Sequence, residues 1–148
     1  GDMPLLTADF VEKLYAHHTR TNADITFTVA HNEDPKCRYG RIVPTQNSTP
    51  RIIEYKHFDL DIHEYPLVNA GIYLIKQSVL NDCLAQVQEN NETHEIYLTD
   101  VIEIAGNKNL RIETIQVPFD SARGINTQEE FDAVVALINS TQPTAIRH

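Results

Sequence analysis

The sequence predicts an α/β fold in which helices flank a mixed sheet, and three observations support this prediction. Segments patterned like β-strands alternate with segments in which apolar residues recur every three or four positions. Turn-forming residues separate two short strands in the first half of the chain, which favours a hairpin. The length of 148 residues, 41% of them hydrophobic, is that of one globular domain. We therefore expect one α/β unit with a mainly parallel sheet and a β-hairpin excursion near residues 40–54.

The first part of the chain is predicted to contain a helix, a strand and the hairpin. Thr7 is a good N-cap for a helix whose apolar residues share one face. Residues 24–30 alternate polar and apolar side chains and are rich in β-branched residues, which predicts a strand. Short strands are predicted at 40–43 and 51–54, and the turn between them predicts that they pair. The apolar face of the helix comprises Phe10, Val11, Leu14 and Tyr15.

The rest of the chain continues the alternation of strands and helices. Residues 68–75 are nearly all apolar, which predicts a strand covered on both faces, and helical spacing predicts a helix over 80–87. Residues 99–106 begin with a capping threonine and end with glycine, as expected of a short helix. A further strand is predicted at 110–117, and the Thr-x-x-Glu pattern at 127–130 predicts a capped final helix. Its apolar face comprises Phe131, Val134, Val135 and Ile138.

Composition narrows the function classes. The net charge of −9 argues against binding nucleic acid or an anionic membrane through basic patches. No apolar run is long enough for a transmembrane helix, so we expect no membrane insertion. Cys37 and Cys83 lack the spacing of a zinc site or a disulfide framework, and a cytoplasmic location is the simplest expectation.

Basic residues are unevenly distributed in this acidic chain. Five of the twelve lysines and arginines lie within residues 36–56. The ordinary interpretation is a hairpin with a solvated charged face. These residues are Lys36, Arg38, Arg41, Arg51 and Lys56.

Several polar positions have side chains suited to ligand binding. The five glycines are too scattered to form a glycine-rich phosphate loop. Asp2 offers hard oxygens to Mg²⁺, and Asn126 offers an amide carbonyl for the same purpose. Asn69, at the start of a buried strand, has both a donor and an acceptor for a sugar hydroxyl. Each of these residues is also explained by an ordinary turn or cap, so none defines a site alone.

Six short blocks, taken in order, carry a family resemblance. They are GDMPLLT at 1–7, YGRIV at 39–43, IIEYK at 52–56, VNAGIYL at 68–74, EIYLTDVI at 95–102 and GINT at 124–127. In this order they resemble the GlmU-type N-acetylglucosamine-1-phosphate uridylyltransferases, and more broadly the sugar-1-phosphate nucleotidylyltransferases. The resemblance implies that the chain is a portion of a Rossmann-like nucleotidyltransferase domain.

The resemblance also implies roles for individual residues. Asp2 and Asn126 would hold the catalytic Mg²⁺, with Asp2 the catalytic residue, and Gly1 would lie against the substrate. The residues matching those that bind the N-acetylglucosamine group are Gly40, Glu54 and Asn69. Those matching residues near the acetamido and phosphate groups are Tyr97 and Thr99.

The reaction implied is attack of N-acetylglucosamine 1-phosphate on the α-phosphorus of UTP, which gives UDP-N-acetylglucosamine and pyrophosphate. The motif set has no Ser/His or Cys/His nucleophile, which agrees with catalysis by positioning and charge neutralisation. Such a protein would serve peptidoglycan precursor synthesis.

The resemblance further predicts how much of the enzyme the chain represents. The glycine-rich nucleotide loop and uracil-binding segment of the family are not found in residues 1–148, nor are the hexapeptide repeats of an acetyltransferase domain. We therefore expect residues 1–148 to be the C-terminal, sugar- and metal-binding portion of one nucleotidylyltransferase domain, inactive by itself. Two alternatives stay open: a non-catalytic module that binds sugar nucleotides, and a nucleotidylyltransferase for another sugar 1-phosphate.

Overall fold

The computed structural model describes residues 3–90, 94–125 and 127–141. The strands are β1 (Ile25–His31), β2 (Arg41–Pro44), β3 (Pro50–Ile53), β4 (Leu67–Ile75) and β5 (Ile112–Val117). The helices are α1 (Ala8–Thr21), α2 (Gln77–Leu84), α3 (Asp100–Asn107) and α4 (Gln128–Thr141). Short 3₁₀ turns lie at Tyr55–His57 and Phe119–Ala122. The predicted alternation of strands and helices is confirmed.

The five strands form one mixed sheet in the order β3-β2-β4-β1-β5. β2 and β3 pair antiparallel as the predicted hairpin, with Arg41 opposite Ile53. β4 pairs antiparallel with β1 and β2, and β1 pairs parallel with β5. The sheet is mixed, as predicted, but the expectation that it is mainly parallel was wrong for the described strands. The chain reaches β4 from β1 through the hairpin and not through a crossover helix, so β4 returns in the opposite direction.

Both faces of the central strand β1 are covered. Ile25 and Phe27 pack with Val101 and Ile102 of α3 in a core on one side of the sheet. Ala30 packs with Val68 and Val117 in a smaller cluster that includes Ala70 and Cys37. Residues 25–30 are all buried, polar threonines included. This burial holds β1 and β4 firmly in the middle of the fold.

The ends of the helices follow local side-chain chemistry. The N-cap oxygen Oγ1 of Thr7 accepts a hydrogen bond from the amide of Phe10, as the sequence predicted. The capping box at the start of α4 is also present: the Glu130 amide donates to Thr127 Oγ1 (3.2 Å), and the Thr127 amide donates to Glu130 Oε2 (2.9 Å). α2 ends at Leu84, short of the predicted Val87, whose amide bonds to the Leu84 carbonyl in a tight turn.

The predicted apolar helix faces are only partly buried. In α1, Leu14 is buried, whereas Val11 and Tyr15 are exposed. In α4, Val134 is buried and Phe131 is exposed. Among the helices described, none has both the length and the hydropathy needed to cross a bilayer.

Candidate functional site

Three predicted sugar-binding residues meet at one end of the hairpin because of strand register. Arg41 of β2 lies opposite Ile53 of β3 and opposite Val68 of β4. Gly40, Glu54 and Asn69 are the next residues beyond this row, one on each chain segment. The amide of Asn69 donates a hydrogen bond to the Gly40 carbonyl at 2.8 Å, which extends the pairing by one step. All three residues line one cavity of about 930 Å³.

Gly40 is required by close packing. A Cβ atom at this position would lie 2.8 Å from Ile52 Cγ2 and 3.4 Å from Glu54 Oε2. The first distance is shorter than any relaxed carbon–carbon contact. A side chain here would therefore push against the strand that carries Glu54.

Glu54 is held from the far side of the site by Thr99. The Thr99 hydroxyl donates to Glu54 Oε1 at 2.7 Å, and Thr99 is buried. Thr99 precedes α3 but makes no side-chain cap hydrogen bond, so the predicted capping role was wrong. Its hydroxyl fixes the carboxylate instead, and Glu54 Oε1 thereby gains a charge-assisted hydrogen bond. Burial raises the pKa of the neighbouring Asp100 carboxyl, and Glu103 and Glu54 raise it further.

Asn69 is fixed by its own strand. Its Oδ1 accepts a hydrogen bond of 3.0 Å from the amide of Gly71. Gly71 has φ +79°, a left-handed conformation that favours glycine. Burial raises the pKa of the Tyr73 hydroxyl on the same strand, so this hydroxyl stays protonated near Asn69.

Tyr97 lies in a second, smaller cavity of about 360 Å³. Its hydroxyl donates to Glu95 Oε2 at 2.5 Å, and Lys56 Nζ lies 3.6 Å from the same oxygen. Arg38 and Glu54 line both this cavity and the larger one. Of the five predicted residues that the structure describes, Gly40, Glu54, Asn69 and Tyr97 therefore line two cavities that share Arg38 and Glu54. The fifth, Thr99, contacts the site through its hydrogen bond to Glu54.

A buried arginine fixes the segment that leads into β2. The Arg41 guanidinium is 2% exposed and donates to the backbone carbonyls of Asn32, Asp34 (3.4 Å) and Tyr65 (3.4 Å). It also lies over the ring of Phe58, 5.9 Å from the ring centroid. Sequence patterning assigned Arg41 to a solvated face, because a basic residue is rarely buried without a carboxylate partner.

Three predicted residues, Gly1, Asp2 and Asn126, lie outside the described residues. Their chain neighbours converge on the larger cavity: Met3 lines it, as do Gly124 and Thr127. The Gly124 amide donates to the Tyr39 hydroxyl at 2.8 Å, which ties this segment to the residue before Gly40. A carboxylate and an amide carbonyl are ligand types that suit Mg²⁺. Among the residues described, no three His, Cys, Asp or Glu side chains are grouped closely enough to hold a metal ion.

The sequence prediction missed several residues that line the larger cavity. They include Lys36, Arg38 and Arg123, and the cluster of basic residues within 36–56 was the signal for the first two. The structure divides that cluster among different environments. Lys36 and Arg38 line the cavity, Arg41 is buried, and Arg51 lines a separate pocket with residues of the hairpin turn and α3.

Comparison with solved structures defines the class of fold. The CMP:2-keto-3-deoxy-manno-octonic acid synthetase complexed with CTP matches with a TM-score of 0.60 and 16% identity, over 95% of this chain and 60% of that chain. The uridine diphosphate N-acetylglucosamine pyrophosphorylase from Trypanosoma brucei matches with a TM-score of 0.59 and 13% identity, over 85% and 31%. The fold is therefore that of the Rossmann-like nucleotidyltransferases.

Sequence comparison points to a narrower group. The chain is 35% identical to the bifunctional protein GlmU of Campylobacter jejuni over 130 residues, which is 88% of this chain and 29% of that protein. The chain thus spans less than a third of the length of the curated relatives it matches. No family model matches the sequence. The resemblance to GlmU-type uridylyltransferases that the six sequence blocks carry is confirmed.

Proposed function

We propose that this chain is the sugar- and metal-binding portion of a sugar-1-phosphate nucleotidylyltransferase domain. In the whole protein, this domain would transfer UMP from UTP to N-acetylglucosamine 1-phosphate, giving UDP-N-acetylglucosamine and pyrophosphate. One observation carries the proposal: Gly40, Glu54 and Asn69 meet at one strand row and line a cavity large enough for a sugar nucleotide. Similarity to GlmU over 88% of the chain supports it.

The described residues would bind and orient the sugar. The Glu54 carboxylate, held by Thr99 and close to Gly40, is an acceptor for a sugar hydroxyl or an acetamido N–H. The Asn69 side chain would hydrogen-bond a second hydroxyl from the neighbouring strand. Fixing the sugar in this way would hold its phosphate ready for attack, which is the main contribution that a protein makes to this type of transfer.

Asp2 and Asn126 would hold Mg²⁺ in this proposal. The ion would neutralise charge on the phosphates, which an acidic chain cannot do by itself. Met3 and Thr127, adjacent to these residues in sequence, line the same cavity as the sugar-binding residues, which supports a common site.

A titration of the chain with N-acetylglucosamine and with UDP-N-acetylglucosamine, followed by ¹⁵N NMR, tests the sugar site. We expect both ligands to shift the amide signals of Gly40, Glu54 and Asn69, and Glu54→Ala to remove these shifts. Glu12→Ala removes the same side chain from an exposed position of α1 that lines neither cavity, so it serves as the control and should leave them unchanged. Shifts confined to other residues would contradict the sugar assignment.

The same titration, extended to glucose 1-phosphate and N-acetylglucosamine 1-phosphate, separates the two alternatives. A non-catalytic binding module would take up the sugar nucleotide tightly without further chain, whereas a portion of an enzyme should bind it weakly. A nucleotidylyltransferase for another sugar would respond to glucose 1-phosphate at least as strongly as to N-acetylglucosamine 1-phosphate.

A further inference from the structure

Two cationic side chains line the larger cavity without partners. Within the described residues, neither the Lys36 ammonium nor the Arg38 guanidinium makes a hydrogen bond or an ion pair. Most other lysines and arginines are paired with a carboxylate, as expected in a chain of net charge −9. The paired carboxylates belong to Asp9, Asp24, Asp82, Glu95, Glu113 and Asp120.

The segment that carries these two residues is fixed by its own contacts. Asp34 Oδ1 accepts the Lys36 amide at 2.9 Å, and the Asp34 carbonyl accepts the Cys37 amide at 2.9 Å. Cys37, between the two cations, is buried, and the Arg41 guanidinium holds the Asp34 carbonyl from below. The backbone is therefore ordered before a ligand arrives, which lowers the entropy cost of binding.

Among the residues described, four carboxylates line the same cavity, and all except that of Glu129 have a hydrogen-bond partner. Asp34 accepts from the Lys36 amide, Glu54 from the Thr99 hydroxyl, and Glu130 from the Thr127 amide. Arg38 also lines the smaller cavity beside Tyr97, so it stands where the two cavities meet at Glu54. An anion entering the larger cavity would meet both cations, and neither has a partner among the described residues.

We propose that Lys36 and Arg38 form an anion subsite that takes a phosphate group of the bound ligand. This inference rests on the proposed function, because a sugar phosphate or sugar nucleotide brings the phosphate to a cavity lined by the sugar-binding residues. Arg38 supplies a planar guanidinium suited to two phosphate oxygens, and Lys36 supplies a second charge from the same segment. With this subsite, the chain binds phosphorylated sugars in preference to neutral sugars.

Inorganic pyrophosphate is the probe that tests the subsite without the sugar. In ¹⁵N NMR titrations of the chain, we expect it to shift the amides of residues 36–40. The variant Lys36→Gln/Arg38→Gln should weaken this binding by about tenfold or more, since two charge-assisted contacts are lost. Lys13→Gln/Arg20→Gln removes the same charge from α1, where both side chains are exposed, and should retain the binding.

The pyrophosphate titration tests the anion subsite separately from the sugar-binding site. If pyrophosphate shifts no signal in residues 36–40, or binds the double variant as tightly as the control variant, the subsite is wrong. N-Acetylglucosamine, titrated in parallel, reports on the proposed function instead: it should shift Gly40 and Asn69 equally in the double variant and the unaltered chain. Loss of neutral-sugar binding in the double variant would also overturn the subsite, because it would show a general disturbance of the cavity.

Discussion

Glu54 and Thr99 lie 45 positions apart in the sequence and share a 2.7 Å hydrogen bond that joins the hairpin to the start of α3. Thr99→Val preserves the shape of this buried side chain but leaves Glu54 Oε1 without its donor. We expect the free energy of unfolding to fall by about 1–3 kcal/mol. Urea denaturation measures this, and NMR titration should show weaker UDP-N-acetylglucosamine binding.

Thr99→Ser is the matched control, because it keeps the hydroxyl and removes only a methyl group. It should retain sugar-nucleotide binding while losing a smaller part of the stability. Equal loss of binding in the valine and serine variants would show that the hydroxyl does not position Glu54.

Gly40 and Gly71 both line the larger cavity, but alanine at each should act by a different mechanism. At Gly40 the new Cβ would meet Ile52 Cγ2 at 2.8 Å, so we expect a loss of roughly 1–3 kcal/mol from overpacking. At Gly71 no atom lies within 4 Å of the new Cβ. We expect the free energy of unfolding to fall by about 1 kcal/mol there, because a residue with a Cβ is strained at φ +79°.

Ligand binding distinguishes the two glycine variants. Gly40→Ala should displace Glu54 and weaken sugar binding, whereas Gly71→Ala should lower stability with little change at Glu54. Unaltered binding in Gly40→Ala would show that the close contact with Ile52 does not affect the position of Glu54.

The contact of α1 with β1 should respond to pH through His18. His18 Nδ1 hydrogen-bonds Thr26 Oγ1 at 2.8 Å, and burial, with a smaller effect of Lys76, lowers the His18 pKa from its ordinary value of 6.5. Below pH 6.5 the unfolded chain therefore binds a proton that the folded state resists. This contribution to the free energy of unfolding is complete above pH 6.5 and declines as the pH falls.

Urea unfolding at pH 7.5 and pH 5.5 measures the effect of His18. We expect the unaltered chain to lose more stability over this range than His18→Gln, which keeps a polar partner for Thr26 but does not titrate. Identical pH dependence in the two proteins would rule out His18 as a source of the loss.

The elements were largely predictable from periodicity and capping, but their directions were not. Alternating side chains in residues 24–30 and the apolar run over 68–75 identify β1 and β4. The pattern of a strand is the same in either direction, so it cannot show that β4 runs antiparallel to β1. In the same way, a threonine before an acidic turn predicts a cap, and only the fold brings Glu54 within reach of Thr99.

At the scale of the whole molecule, the candidate site depends on contacts between distant segments. The resemblance of short sequence blocks to a family predicted that Gly40, Glu54 and Asn69 bind the sugar. The strand register explains why these three residues meet. The burial of Arg41 and the unpaired state of Lys36 and Arg38 could not be predicted, since they depend on which carboxylates lie nearby in space.

The central claim, that this chain supplies the sugar- and metal-binding portion of a nucleotidylyltransferase, is tested most directly by pyrophosphate release from a chimera. The chimera replaces the matching 130 residues of the Campylobacter jejuni GlmU with this chain, and UTP binding verifies that it is folded. With UTP, Mg²⁺ and N-acetylglucosamine 1-phosphate, we predict turnover by the chimera and none by the chain alone. Asp2→Ala should lower kcat of the chimera by about a hundredfold or more. A chimera that binds UTP but releases no pyrophosphate, or turnover by the isolated chain, would contradict the account.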